Sequence, residues 1–364
     1  MTQASGDGGG NAIAEAAVGS DAVADAPGTP SEAGPPLSDG APCDTQSDTH
    51  NCGACGHDCL GGQCMAGVCQ PVVLWPGDSG GGGQPYDLAQ DDAYLYWTDI
   101  SNHTVLRTSK TTGATIDLVP SSFTSLFPRG ISVDDAGAVY WGDMSEIWRC
   151  AKTGCTSDPV DVVSTGLDGV YSLAVDDVAL YWSENSTEIL SAHKFGTGES
   201  PSVLWEGDAS ANAVATDGTR VYFTADDGLL RGMLVDGGAG FSIGTAGSAA
   251  SLGVTLNGGV VYWTIEDPAH GQVMGASTTD LSPYGIAAQQ QYPTWVASDG
   301  TSVFWLTFSG VDSTINGCAI ETCNPTALAT SPSPHALAVD DVAIYWTDTE
   351  ALGPANGAIF KLAK

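Results

Sequence analysis

From residue 71 onward one word recurs at nearly constant spacing, an apolar run that ends in two aromatic residues. The copies read YLYWTD (94–99), AVYWGD (138–143), ALYWSE (179–184), RVYFTA (220–225), VVYWTI (260–265), SVFWLT (302–307) and AIYWTD (343–348). Their first aromatics, Tyr96, Tyr140, Tyr181, Tyr222, Tyr262, Phe304 and Tyr345, lie 44, 41, 41, 40, 42 and 41 residues apart. A period of about 40–45 residues with short strands in each unit marks a propeller. The aromatic words are apolar at nearly every position rather than at alternate ones, as a strand buried on both faces requires. Blades packed on both sides supply that environment, which makes the aromatic pairs core.

A second word precedes each aromatic pair: PYDLAQDD, PRGISVDD, VYSLAVDD, ANAVATDG, LGVTLNG, PTWVASDG and PHALAVDD. Each reads as a strand followed by an Asp/Asn/Gly turn, which predicts a β-hairpin leading into the aromatic strand. Six of these first strands carry a small residue at one position (Ala89, Ser132, Ala174, Ala215, Ala297, Ala338), and Thr255 stands there in the seventh. Small side chains suit the innermost strands, which converge on the axis. The last repeat stops after AIFKL, whereas PVVLWPG at 71–77 resembles PSVLWEG at 201–207, the fourth strand of another unit. The segment before the first repeat is therefore predicted to complete the last blade and to remove the open sheet edges. The expected fold is all-β, a seven-bladed β-propeller over 71–364 closed by a swapped strand.

Six cysteines crowd into 43–69: Cys43, Cys52, Cys55, Cys59, Cys64 and Cys69. The remaining four form two close pairs, Cys150/Cys155 and Cys318/Cys323. Even sets suit disulfides in an oxidising compartment, with zinc as the alternative for the first cluster. The pairing of the six stays open among 15 connectivities. Each later pair is expected to staple the outer hairpin of its blade. Residues 1–42 lack Lys and Arg and are rich in Gly, Ala, Ser, Asp and Pro, which predicts a disordered acidic tether. Met1–Ser5 has neither the basic start nor the apolar core of a signal peptide. The expected location is extracellular, periplasmic or cell-surface, with a signal or lipid anchor outside this sequence.

The chain has 43 Asp and Glu against 10 Lys and Arg, a formal net charge of −33. With no basic cluster, it is a poor ligand for nucleic acid or an anionic membrane. No run of about 18 apolar residues is present to span a bilayer. A monomer is expected.

The aromatic word resembles the YWTD repeat of lipoprotein-receptor propellers and, more loosely, the NHL-type repeats. Tyr96-Trp97-Thr98-Asp99 and Tyr345-Trp346-Thr347-Asp348 match the tetrapeptide, and Tyr181-Trp182-Ser183-Glu184 is a conservative variant. YWTD propellers usually have six blades, and seven copies stand here. The run NCGACGHDCLGGQCMAGVC resembles a short cysteine-rich module of secreted bacterial proteins, which places a disulfide module at 43–70.

Few residues look chemical. Gly77-Asp78-Ser79-Gly80-Gly81 matches the run around a serine-protease nucleophile, but it stands in a glycine stretch with no partner motif and reads as a connector. Carboxylates in the hairpin turns read as structural. Those after the aromatic strands (Asp99, Asp143, Glu184, Asp226, Asp227, Glu266, Asp267, Asp312, Asp348 and Glu350) are expected to form an acidic rim at the channel mouth, with Asp99, Asp143, Glu184 and Asp348 as a candidate calcium site. At the start of each innermost strand stands a variable residue: Tyr86, Arg129, Tyr171, Asn212, Leu252, Thr294 and His335. This funnel is the candidate ligand site, with Arg129 and His335 its groups for anion or acid–base roles. The expected function is non-catalytic binding of a protein, peptide or glycan. The alternatives are a metal-dependent lyase or lactonase-type hydrolase, which the funnel ring's lack of a carboxylate disfavours, and a purely structural surface protein.

Overall fold

The structure, a computed structural model, describes residues 43–364 except 78–81, 126, 165–166, 185–186, 199, 245–248, 311–312, 352 and 354–355. The tether at 1–42, the serine run beyond Gly77 and Asp312 lie outside the described residues.

Seven four-stranded antiparallel sheets are the seven blades. Blade 1 runs through β1 (Pro85–Gln90), β2 (Tyr94–Asp99), β3 (Thr104–Ser109) and β4 (Thr115–Asp117) from the axis outward. The first strands of successive blades contact one another in a closed cycle, which puts them innermost. Blade 7 takes its first three strands from the end of the chain (Pro334–Val339, Ala343–Asp348, Ala358–Ala363). Its fourth is Val72–Trp75, whose Val73 pairs with Phe360 and Trp75 with Ile359. The two ends of the repeat array thus share one sheet, as the likeness of PVVLWPG to PSVLWEG predicts.

The repeated words make repeated contacts. Trp97, Trp141, Trp182, Trp263, Trp305 and Trp346 are wholly buried. In five blades the tyrosine hydroxyl donates to the first turn acid of its own hairpin, as Tyr96 does to Asp91 at 2.8 Å and Tyr345 to Asp340 at 3.0 Å. Three of those acids also meet a lysine of the next blade: Lys110 with Asp340, Lys152 with Asp91 and Lys194 with Asp134. The turn acids therefore tie each hairpin to itself and to its neighbour.

The ten cysteines form five disulfides: Cys43–Cys55, Cys52–Cys64, Cys59–Cys69, Cys150–Cys155 and Cys318–Cys323. The last two tie the third strand of blades 2 and 6 to the connection leading outward. Residues 43–364 form one compact unit. The buried Cys52, Cys59, Cys64 and Cys69 share an apolar cluster with Phe304, Ile344, Trp346 and Leu362 of blades 6 and 7. His57 adds a polar clasp: Nδ1 is 2.6 Å from the main-chain oxygen of Cys52, and Nε2 is 2.5 Å from that of Lys364.

Candidate functional site at the channel mouth

The inner strands open toward the end of the propeller at which the aromatic strands finish. There the first inner-strand positions surround a cavity of about 280 Å³. Tyr86, Tyr171, Asn212, Leu252, Thr294 and His335 line it, joined by Trp295 and Phe308. Arg129, the seventh member of the ring, lies against two of them. Its guanidinium carbon is 4.8 Å from the centroid of the Tyr171 ring and 5.6 Å from that of Tyr86. The Tyr86 ring lies 3.7 Å from that of His335, and His335 lies 5.9 Å from Trp295. Five side chains from blades 3, 2, 1, 7 and 6 thus form a contiguous arc, while Asn212, Leu252 and Thr294 complete the circle.

Main-chain bonds hold this ring in place. The hydroxyl at the third position of the YWTD word donates to the carbonyl of the next blade's funnel residue: Thr98 to Arg129, Ser183 to Asn212, Thr224 to Leu252 and Thr264 to Thr294. Close approach of the inner strands also explains two glycines. A Cβ on Gly130 would stand 2.9 Å from Leu173 N, and one on Gly253 would stand 2.4 Å from Thr294 O.

Two features give the mouth its chemistry. His335 Nδ1 is 3.1 Å from Tyr86 O, so it carries the proton and leaves Nε2 as an acceptor. Burial, opposed by that bond and aided by Arg129, brings the ring's pKa down to about 4, and the imidazole is neutral near pH 7. The second feature is a cation with donors to spare. Nine of the ten Lys and Arg side chains meet a carboxylate or a main-chain oxygen. The guanidinium of Arg129 has no hydrogen-bond acceptor among the described residues, although it is half-buried in a protein of net charge −33.

The position after each funnel residue holds Gly130, Ser172, Ala213, Gly253 and Ala336, all small, but also Asp87 and Trp295. These two exceptions are the channel residues that sequence reasoning missed, and the break in the small-residue pattern was their signal. Asp87 lines a second chamber of about 240 Å³, which shares Ser172, Ala213 and Trp295 with the mouth. The inner strands therefore do carry a carboxylate. Asp87 accepts from Ile131 N at 3.0 Å and Leu88 N at 2.8 Å, yet burial outweighs both bonds and pushes its pKa up to about 7. Gln90 Oε1 lines the same chamber without a hydrogen-bond partner.

The four carboxylates expected to hold calcium are buried in the structure, not open at the rim. Asp99, Asp143, Glu184 and Asp348 are at most 4% exposed and sit in four separate blades. Asp99 accepts from the main-chain nitrogens of Gln84, Ser101 and Asn102. Asp143 accepts from Ser145 N, Glu146 N and the Trp148 indole. Glu184 takes the Trp182 indole and Asp168 N, and Asp348 takes Ser333 N and Glu350 N. Oxygens facing N–H donors in four places are loop caps and do not fit a calcium cage. Among the described residues the one cluster of three potential ligand atoms is Cys52, Cys59 and Cys69, and all three sulfurs are in disulfides.

No protein-family model and no curated protein matches this chain. Solved structures match its fold. A chain in the crystal structure of a nidogen/laminin complex is similar at a TM-score of 0.50 and 16% identity, over 69% of this chain and 93% of that one. The computationally designed Ika8 protein is similar at a TM-score of 0.55 and 13% identity, over 81% and 100%. U3-55K is similar at a TM-score of 0.63 and 13% identity, over 81% and 98%.

Proposed function

We propose that this is an extracellular binding protein that holds a segment of a protein, peptide or glycan at the channel mouth without catalysis. The observation that carries the reading is the convergence of six variable funnel residues on one cavity lined by aromatic side chains. Concave, largely apolar sites with a few placed polar groups are where propellers and other scaffolds hold ligands. The nidogen/laminin complex supplies a fold relative seen with a protein partner. Five disulfides with no free cysteine suit an oxidising compartment. The cysteine-rich module and the acidic segment before it suit display at a bacterial surface.

The metal-dependent lyase or lactonase reading gains one inner-strand carboxylate in Asp87, but that group sits in the lower chamber and its oxygens face two N–H donors. The test is selection of displayed peptides and arrayed glycans on the wild-type protein, with rejection of those that also bind Leu252→Trp, which fills the mouth. Ligands that require an open mouth are expected, with the melting temperature of the variant unchanged. Their failure to bind Arg129→Ala/His335→Ala is expected as well. Ligands that bind both forms alike, or no enrichment at all, would favour a purely structural role.

A further inference from the structure

We infer that the mouth recognises a carboxylate borne on a flat apolar group, with Arg129 as its anion-binding residue and His335 as an acceptor for a neighbouring N–H or O–H of the ligand. The inference rests on the binding reading above and names the chemistry of that site.

The Arg129 guanidinium carbon lies over the rings of Tyr86 and Tyr171, and a cation–π contact of this kind uses none of the group's N–H donors. A half-buried cation with no acceptor is costly to keep, and its charge-assisted bonds are correspondingly strong once an oxyanion arrives. A guanidinium edge presents two parallel N–H bonds that match the two oxygens of a carboxylate.

Charge selects among oxyanions. Arg129 offers a single positive charge, and Asp168, Asp226 and Glu350, in loops at the same end, are exposed. One cation inside an acidic periphery suits a monoanion and repels a dianionic phosphate. The rest of the cavity explains what carries the anion. Trp295, Leu252 and Phe308 supply apolar surface, and Phe308 is 46% exposed with nothing covering it. The neutral His335, with Nδ1–H committed to Tyr86 O, keeps Nε2 free to accept.

The test compares N-acetylphenylalanine with N-acetylphenylalaninamide, which has the same shape without the charge, by calorimetric titration of the whole protein. The carboxylate is expected to bind at least about tenfold more tightly than the amide, as one charge-assisted bidentate pair provides. Arg129→Gln should erase that ratio, Arg129→Lys should keep part of it, and Leu252→Trp should abolish binding of both. Inorganic phosphate should not compete at equal concentration. Equal affinity for acid and amide, both blocked by Leu252→Trp, would overturn the carboxylate assignment and leave the mouth as a binding site. A preference that survives Arg129→Gln, tighter binding of phosphate, or no binding of either compound would also overturn it. Melting temperatures of the variants within a degree or two of wild type identify a lost contact rather than a lost fold.

Discussion

The hydroxyl of Thr347, in the last repeat, donates to the main-chain oxygen of Tyr86, in the first, across 3.0 Å. The same oxygen atom of Thr347 accepts the N–H of Ala336 in its own blade at 2.9 Å. One side chain therefore joins two inner strands at the seam where the ring closes, and it fixes the carbonyl that in turn takes the His335 proton. Gly142 and Leu306 occupy this position in blades 2 and 6 and carry no hydroxyl. The funnel residues that follow those blades, Tyr171 and His335, lack the bond that anchors the other five.

Thr347→Val keeps the shape of the side chain and removes the hydroxyl. Buried Ala336 N then loses its partner and Tyr86 O keeps only the bond from His335, which should cost about 1–3 kcal/mol in a urea titration. Thr347→Ser restores the hydroxyl and should cost less than about 1 kcal/mol. A loss equal in the two variants would mean that the methyl group, not the hydrogen bond, matters here.

Trp97 is wholly buried and packs 4.6 Å, ring to ring, from Trp75 of the closing strand. Its truncation to alanine should cost about 3–5 kcal/mol through cavity formation. Because the contact reaches across the seam between blades 1 and 7, Trp75→Ala should be strongly destabilising too. The double variant should lose less than the sum of the two. Additive losses would show that the rings do not depend on each other.

Most of the fold was legible because one physical demand repeats. A strand buried on both faces must be apolar throughout, and that demand left the same aromatic word in all seven repeats. Closure was legible because 71–77 and 201–207 answer to the same fourth-strand environment. The site was legible in outline, since the variable ring stands out against a constant frame. Its chemistry was not. Composition shows that cations are scarce, but only the contacts show that nine of ten are engaged and Arg129 is not. An acid after an aromatic strand looks the same whether it caps a loop or binds an ion. For Asp99 and Asp348 the local N–H donors decide it. Asp87 and Trp295 were visible as breaks in a small-residue position, yet only the channel gives those breaks a meaning.

Lys194 and Asp134 form an almost fully buried pair at 3.1 Å that links blade 3 to blade 2. Removing the lysine alone, as in Lys194→Met, leaves Asp134 with Tyr140 and Ala138 N as its remaining partners. A buried charge without its counter-charge costs about 3 kcal/mol or more. Lys194→Met combined with Asp134→Asn should recover part of that loss, a coupling that thermal and urea denaturation would measure. Equal stability of the single and double variants would place the cost in the lysine stem's packing instead.

The two titrating groups of the channel act on stability with opposite signs. Burial first, then Arg129, against the Tyr86 bond, brings His335 down from 6.5 to about 4. Between those values the unfolded chain binds more protons, so the His335 contribution is present above about pH 6.5 and is lost as the pH falls toward 4. Burial raises Asp87 from 3.8 to about 7 against its two main-chain bonds. Here the folded protein binds more protons, and the Asp87 contribution is present near pH 4 and is lost as the pH rises through 7. In the wild type the two nearly cancel between about pH 4 and 6.5. His335→Gln should expose the Asp87 trend, with stability falling as the pH rises by up to about 1 kcal/mol per unit. Asp87→Asn should expose the reverse, a rise over the same window. Urea titrations at three pH values spanning it would decide the matter. Variant and wild-type curves that run parallel would show that neither group titrates in the channel with the shift its burial implies.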